Sequence, residues 1–89
     1  MQSTGLSGEE IVKRGQALYD GEIRPKVEAG NKGKFLVINV ETGEYEMDAD
    51  DVAAAKRARS RFPGAALFSM RVGYPGAYRL GGRFAVKQP

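Results

Sequence analysis

Residues Lys34 to Val40 read Lys-Phe-Leu-Val-Ile-Asn-Val, the most apolar run of the chain. β-Branched and aromatic residues dominate it, and it is too short for a self-standing helix, so a strand is predicted. Alternation sends Phe35 and Val37 to one face and Leu36, Ile38 and Val40 to the other. Both faces are oily. A strand of this kind lies inside its sheet with apolar cover on each side, so the rest of the chain must supply both neighbours and covers.

The following residues supply the neighbours. Glu41-Thr42-Gly43-Glu44 carries a glycine able to take positive φ, which predicts a hairpin turn with a bulge. Glu44-Tyr45-Glu46-Met47-Asp48 then alternates. Tyr45 and Met47 are assigned to a core, and Glu44, Glu46 and Asp48 to water, the pattern of an edge strand. Asp48 is read as the cap of a helix with Asp50 and Asp51 in its first turn. Val52, Ala55, Ala58 and Phe62 recur at helical spacing, with Lys56, Arg57 and Arg61 opposite and Arg59 at the margin. Phe62-Pro63-Gly64 ends this helix. Ala66 to Val72 is the third strand. A helical crossover between the second and third strands makes them run in the same direction. The first strand runs against its hairpin partner, so the predicted sheet is three-stranded and antiparallel, in order 2-1-3.

Upstream, Ser7-Gly8-Glu9-Glu10 is a capping box. Ile11, Val12, Gly15, Leu18, Tyr19, Ile23 and Val27 then fall close to one helical face, while Gly21 and Pro25 interrupt it. Proline inside a helix costs about 3 kcal/mol or kinks it. A bent helix over residues 8–28 is expected, breaking near Asp20-Gly21 and resuming around Arg24-Pro25. It would cover a sheet face that the short, alanine-rich helix cannot cover alone. Ala29 to Gly33 is the linker. Gly30-Asn31-Lys32-Gly33-Lys34 has the glycines and lysine of a phosphate loop but neither its spacing nor the strand-to-helix context, and reads as a glycine turn.

At 89 residues the chain makes one small domain. We expect a flexible N-terminus over residues 1–7, a single α+β domain over 8–80 and a flexible basic tail over 81–89. No histidine and no cysteine is present, which removes the commonest general base, the Ser-His and Cys-His nucleophile pairs and ordinary zinc sites. Asp48, Asp50 and Asp51 do not have calcium-loop spacing: Val52 and Ala53 occupy ligand and turn-glycine positions, and Arg59 the closing position. Tyr45 falls on the strand face opposite Glu46 and Asp48, so these groups do not converge. No catalytic residue, cofactor or metal site is assigned, and a non-enzyme is expected. No apolar run approaches a membrane span of ~20 residues, and a cytoplasmic protein is expected.

Charge is unevenly distributed. The net charge is only +3, yet all 11 acids lie at or before Asp51. From Arg57 onward come Arg57, Arg59, Arg61, Arg71, Arg79, Arg83 and Lys87 with no acid among them. Such asymmetry fits a surface for an acidic partner or nucleic acid, and the competing reading is a solvated helix face with a soluble tail. The segment from Gly73 to Pro89 mixes aromatic, glycine and arginine residues, with Phe84 to Lys87 able to add a short strand. Tyr74, Tyr78, Arg79, Arg83 and Phe84 are the candidate partner-binding residues, aromatics for contact area and arginines for carboxylate or phosphate. The competing reading of the same segment has Tyr74, Tyr78 and Leu80 packing onto the domain edge.

Asn31-Lys32-Gly33-Lys34-Phe35, the hairpin Val40-Glu41-Thr42-Gly43-Glu44-Tyr45, and Arg71-Val72-Gly73-Tyr74-Pro75 with Ala77-Tyr78-Arg79 together carry a resemblance. The chain resembles a group of small uncharacterised bacterial proteins common in cyanobacteria, with an N-terminal helix and a strand-turn-strand-helix-strand core. That group implies the fold and no activity. The hairpin-helix-strand core also looks like small antitoxins, although no helix-turn-helix or ribbon-helix-helix segment is recognisable. We therefore expect a protein–protein interaction module, antitoxin-like or adaptor, whose contacts are the tail and any open sheet edge, with a homodimer through such an edge as one form. The alternative is a nucleic-acid-binding protein using Lys56, Arg57, Arg61, Arg79 and Arg83. It requires Arg57, Arg61 and Arg79 to form one patch.

Overall fold

The computed structural model describes residues 6–74 in full and the backbone of residues 77–80 and 83–86. The elements run α1 (Gly8–Leu18), a π turn (Tyr19–Ile23), α2 (Arg24–Val27), β1 (Phe35–Asn39), β2 (Tyr45–Asp48), α3 (Asp51–Arg61), β3 (Leu67–Arg71), β4 (Ala77–Leu80) and β5 (Arg83–Val86). β1 pairs antiparallel with both β2 and β3, so the order 2-1-3 expected from its two oily faces is the order found. The paired sheet continues through β4 and β5, in order β2-β1-β3-β4-β5. Arg83–Val86 thus pairs with β4 inside the stretch expected to be a flexible tail. The other tail residues, and residues 1–5 of the N-terminus expected to be flexible over 1–7, lie outside the described residues.

Burial follows the two faces of β1. Leu36, Ile38 and Val40 join Phe68, Met70 and Val72 beneath Tyr19, Ile23 and Val27 of the N-terminal helical rod. Val37 joins Ala54, Ala58 and Phe62 of α3, with Phe35, Ala65 and Leu67 at the margin. The two helical units therefore cover opposite faces. α3 packs on β1 and β2, not centrally on the sheet. Hence β3 is buried on one face, at Phe68 and Met70, and only half-buried on the other, at Leu67, Ser69 and Arg71.

Three local expectations change. The rod does not break at Gly21: one π turn carries it from α1 into α2, with the Arg24 N–H donating to the Tyr19 carbonyl five residues back. The wider turn leaves room for the ring of Pro25, which stands in the first turn of α2. Asp50, not Asp48, caps α3, its Oδ2 accepting from the Ala53 N–H at 3.0 Å, while Asp48 accepts from the Asp50 N–H. The buried stripe of α3 is Ala54, Ala55, Ala58 and Phe62, and Val52 is 55% exposed. Alanines surround the helix, so periodicity alone did not fix which of them faced inward. The capping box at the start of α1 forms as expected: the Glu10 N–H donates to Ser7 Oγ and the Ser7 N–H to Glu10 Oε1.

Candidate functional site

Charge is organised at two places on the face that carries α3, one at the β2 edge and one on the central strand β3. At β2, Glu46 and Asp48 do not face water as expected. They face α3. Arg57 donates from Nε to Glu46 Oε1 at 3.0 Å and from Nη1 to Asp48 Oδ2 at 2.9 Å. Arg61 donates from Nη1 to Glu46 Oε2 at 2.6 Å and reaches Glu44 Oε2 at 3.4 Å. The two arginines also donate to backbone, Arg57 to the Met47 carbonyl at 2.8 Å and Arg61 to the Tyr45 carbonyl at 3.2 Å. The Arg61 and Arg57 guanidiniums hold the Glu46 carboxyl below the usual range. The Asp50 amide, followed by Arg57, does the same for Asp48.

Sequence spacing contained a signal for this cluster. Residues i and i+4 on a helix stand about 6 Å apart along its axis, and residues i and i+2 on a strand about 6.7 Å apart. Arg57 and Arg61 therefore match the repeat of Glu44, Glu46 and Asp48 when α3 lies along β2. Strand alternation alone sends the acids to water and helical periodicity alone sets the arginines opposite the apolar stripe; only the two spacings together pair them.

The second place is β3. The guanidinium of Arg71 lies over the ring of Tyr74, 4.4 Å from its centroid, and over the ring of Phe35, 5.1 Å from its centroid. Its Nε donates to the Gly33 carbonyl at 3.0 Å. Local geometry creates this arrangement. The Tyr74 N–H donates to the Arg71 carbonyl, and Gly73 between them takes φ 82°, which closes a turn of the type that needs glycine at its third position. Tyr74 is thereby folded back over Arg71 while remaining 44% exposed. Arg24, Arg57 and Arg61 each pair with a carboxylate. Arg71 is held by two rings and a carbonyl, with no carboxylate among the described residues.

The candidate residues divide accordingly. Tyr74 belongs to the Arg71 cluster. The side chains of Tyr78, Arg79, Arg83 and Phe84 lie outside the described residues, but their backbone register places Arg79 opposite Ser69 and Phe84, Tyr78 opposite Met70, and Arg83 opposite Leu80. Arg79 and Phe84 thus share a register row that Tyr78 and Arg83 do not. Arg57 and Arg61 are engaged at β2. Arg79 stands on β4, three strands from β2 and so about 14 Å away across the sheet. Lys56 is exposed on α3. Arg71 was absent from the sequence-based site because its importance comes from Phe35, distant in sequence. No group of three metal-ligating side chains occurs among the described residues, and no helix there is long and apolar enough to cross a membrane.

No known protein family, curated protein or solved structure matches the chain.

Proposed function

We propose that this chain is a non-enzymatic, cytoplasmic protein–protein interaction module, antitoxin-like or adaptor, that receives an acidic segment of its partner on the half-exposed face of β3. The observation that carries this reading is Arg71, stacked on Phe35 and Tyr74 and fixed through Nε, with its charge uncompensated among the described residues. A guanidinium held flat loses little rotamer freedom on meeting a carboxylate, and a partly desolvated Arg–carboxylate contact gains from its fork geometry. The neighbouring strands β4 and β5 come from a stretch of sequence without acids. Tyr74 extends the surface, and Arg79 and Phe84 share the register row of Ser69.

Nucleic-acid binding is less well supported. Arg57 and Arg61 are committed to Glu44, Glu46 and Asp48, which shrinks the cationic footprint a phosphate backbone requires. Tyr74 also presents one ring face to Arg71, which reduces its use as a base-stacking platform.

The test is affinity capture from source-cell lysate, with and without nuclease, using wild type and Arg71→Ala. The expected result is a defined protein that survives nuclease treatment and is lost with Arg71→Ala. Recovery of nucleic acid, with the accompanying protein vanishing after nuclease, would sink the proposal.

A further inference from the structure

The edge of β2 is chemically occupied. The Asn39 N–H donates to the Glu44 carbonyl at 2.8 Å, which makes this a hydrogen-bonded pair of the antiparallel ladder. Such pairs alternate, so Val37↔Glu46 and Phe35↔Asp48 are also hydrogen-bonded, and Leu36↔Met47 and Ile38↔Tyr45 are not. Tyr45 and Met47 therefore turn their backbone groups away from β1, toward the side where another strand would join. Their carbonyls are the two that Arg61 and Arg57 occupy. The arginines reach these carbonyls from α3 while gripping the acidic side chains of the same strand.

We propose that Arg57 and Arg61 are edge guards: they take the outward acceptors of β2 and close that side of the sheet to strand addition by a second copy of this chain. An uncovered edge strand is a template for pairing, and proteins blunt it with charged side chains or a covering element. Here one helix supplies both. The homodimer expected through an open sheet edge is therefore barred at β2, and any extension of the sheet is directed to the β5 side. This inference is independent of the partner proposed for Arg71.

Removing the arginines alone would leave Glu44, Glu46 and Asp48 unpaired, and their like charges would themselves repel an incoming copy. The test therefore uses a neutralised strand, Glu44→Gln with Glu46→Gln and Asp48→Asn, and compares it with the same protein also carrying Arg57→Met and Arg61→Met. Sedimentation velocity over a concentration series reads self-association. The neutralised strand with its arginines should match wild type. The variant without them should associate at a concentration lower by about tenfold or more, as outward backbone groups gain partners. Equal association of the two, or none in either, overturns the proposal. If circular dichroism shows the methionine variant unfolded, Arg57→Gln with Arg61→Gln, too short to reach the edge, replaces it under the same criteria.

Discussion

Gly15 of α1 rests directly on the ring of Phe68 in β3: a Cβ placed at residue 15 would lie 2.2 Å from Phe68 Cδ2. No ordinary side chain fits there, and Phe68 is completely buried. The contact sets how closely the helical rod approaches the sheet.

Gly15→Ala should therefore destabilise the protein by about 1–3 kcal/mol through overpacking, despite the ~1 kcal/mol that alanine gains in helix propensity. Gly21→Ala has nothing within 4 Å of its new methyl and should stabilise by about 0.5–1 kcal/mol. Urea denaturation midpoints check both. Equal effects at the two positions would show that the close approach is not rigid.

Gly73 is held at φ 82°, with Lys32 Cγ 2.5 Å from where its Cβ would sit. Lys32 can move, but the backbone cannot easily. Gly73→Ala should cost about 1–2 kcal/mol and Gly73→Asn less, since asparagine tolerates the left-handed region. Thermal denaturation of the two variants gives the order. A Gly73→Ala melt equal to wild type would mean that the turn under Tyr74 relaxes freely.

Acid should weaken the β2–α3 cluster. The Glu46 carboxyl is held below its ordinary value of 4.5 by Arg61 and Arg57. Its folded pKa is thus lower than its unfolded one, so its contribution is present above the unfolded value and lost as pH falls through the folded value. Stability should decline as pH drops below about 4.5, and Glu46→Gln should flatten that decline. Glu46 is only 17% exposed, but its arginine partners are half-exposed, so the effect should be modest and reduced by salt. Denaturant titrations at stepped pH in both proteins provide the measurement, and identical pH profiles would contradict it.

Among the described residues no well-formed hydrogen bond reaches the buried Tyr19 hydroxyl, and its weak interaction with the Gly73 backbone leaves burial to push its ionisation above the usual phenol value. Tyr19→Phe keeps the ring and removes the unsatisfied oxygen. A gain of about 1 kcal/mol is expected, read as a higher melting temperature. In alkaline spectrophotometric titration, loss of this tyrosine should remove a late-ionising component. Destabilisation by Tyr19→Phe would mean that the hydroxyl has a partner in solution.

What could be read from sequence was whatever depends on a strong local period. The two oily faces of Phe35 to Val40 placed β1 in the sheet interior, and Gly43 marked the hairpin, where it takes φ 86°. The period failed where side chains are alike: Val52 displaced Ala54 in the expected stripe because alanine gives little contrast. It also failed where a contact spans the chain. Arg57 and Arg61 looked like a solvated cationic face until α3 was laid along β2, and Arg71 looked ordinary until Phe35 arrived beside it. Gly15 was counted among the face-forming residues, but its role as the contact point with Phe68 needed the sheet. The acid-free C-terminal half was visible at once. The strand β5 within it was only one of the options.

The π turn at Tyr19–Ile23 has a consequence for how this chain tolerates changes in length. Gly15, Tyr19, Ile23 and Val27 all face the sheet at four-residue steps, and an α-helix would drift about 40° at each step. The wide turn rotates less per residue and cancels that drift, so the rod carries one spare residue in its middle. A chain lacking Gly21 would step four, three and four, which an ordinary α-helix accommodates on one face. Deletion there draws on slack already present, whereas the same deletion between Val12 and Gly15 has none to draw on and would swing Ile11 and Val12 off the core.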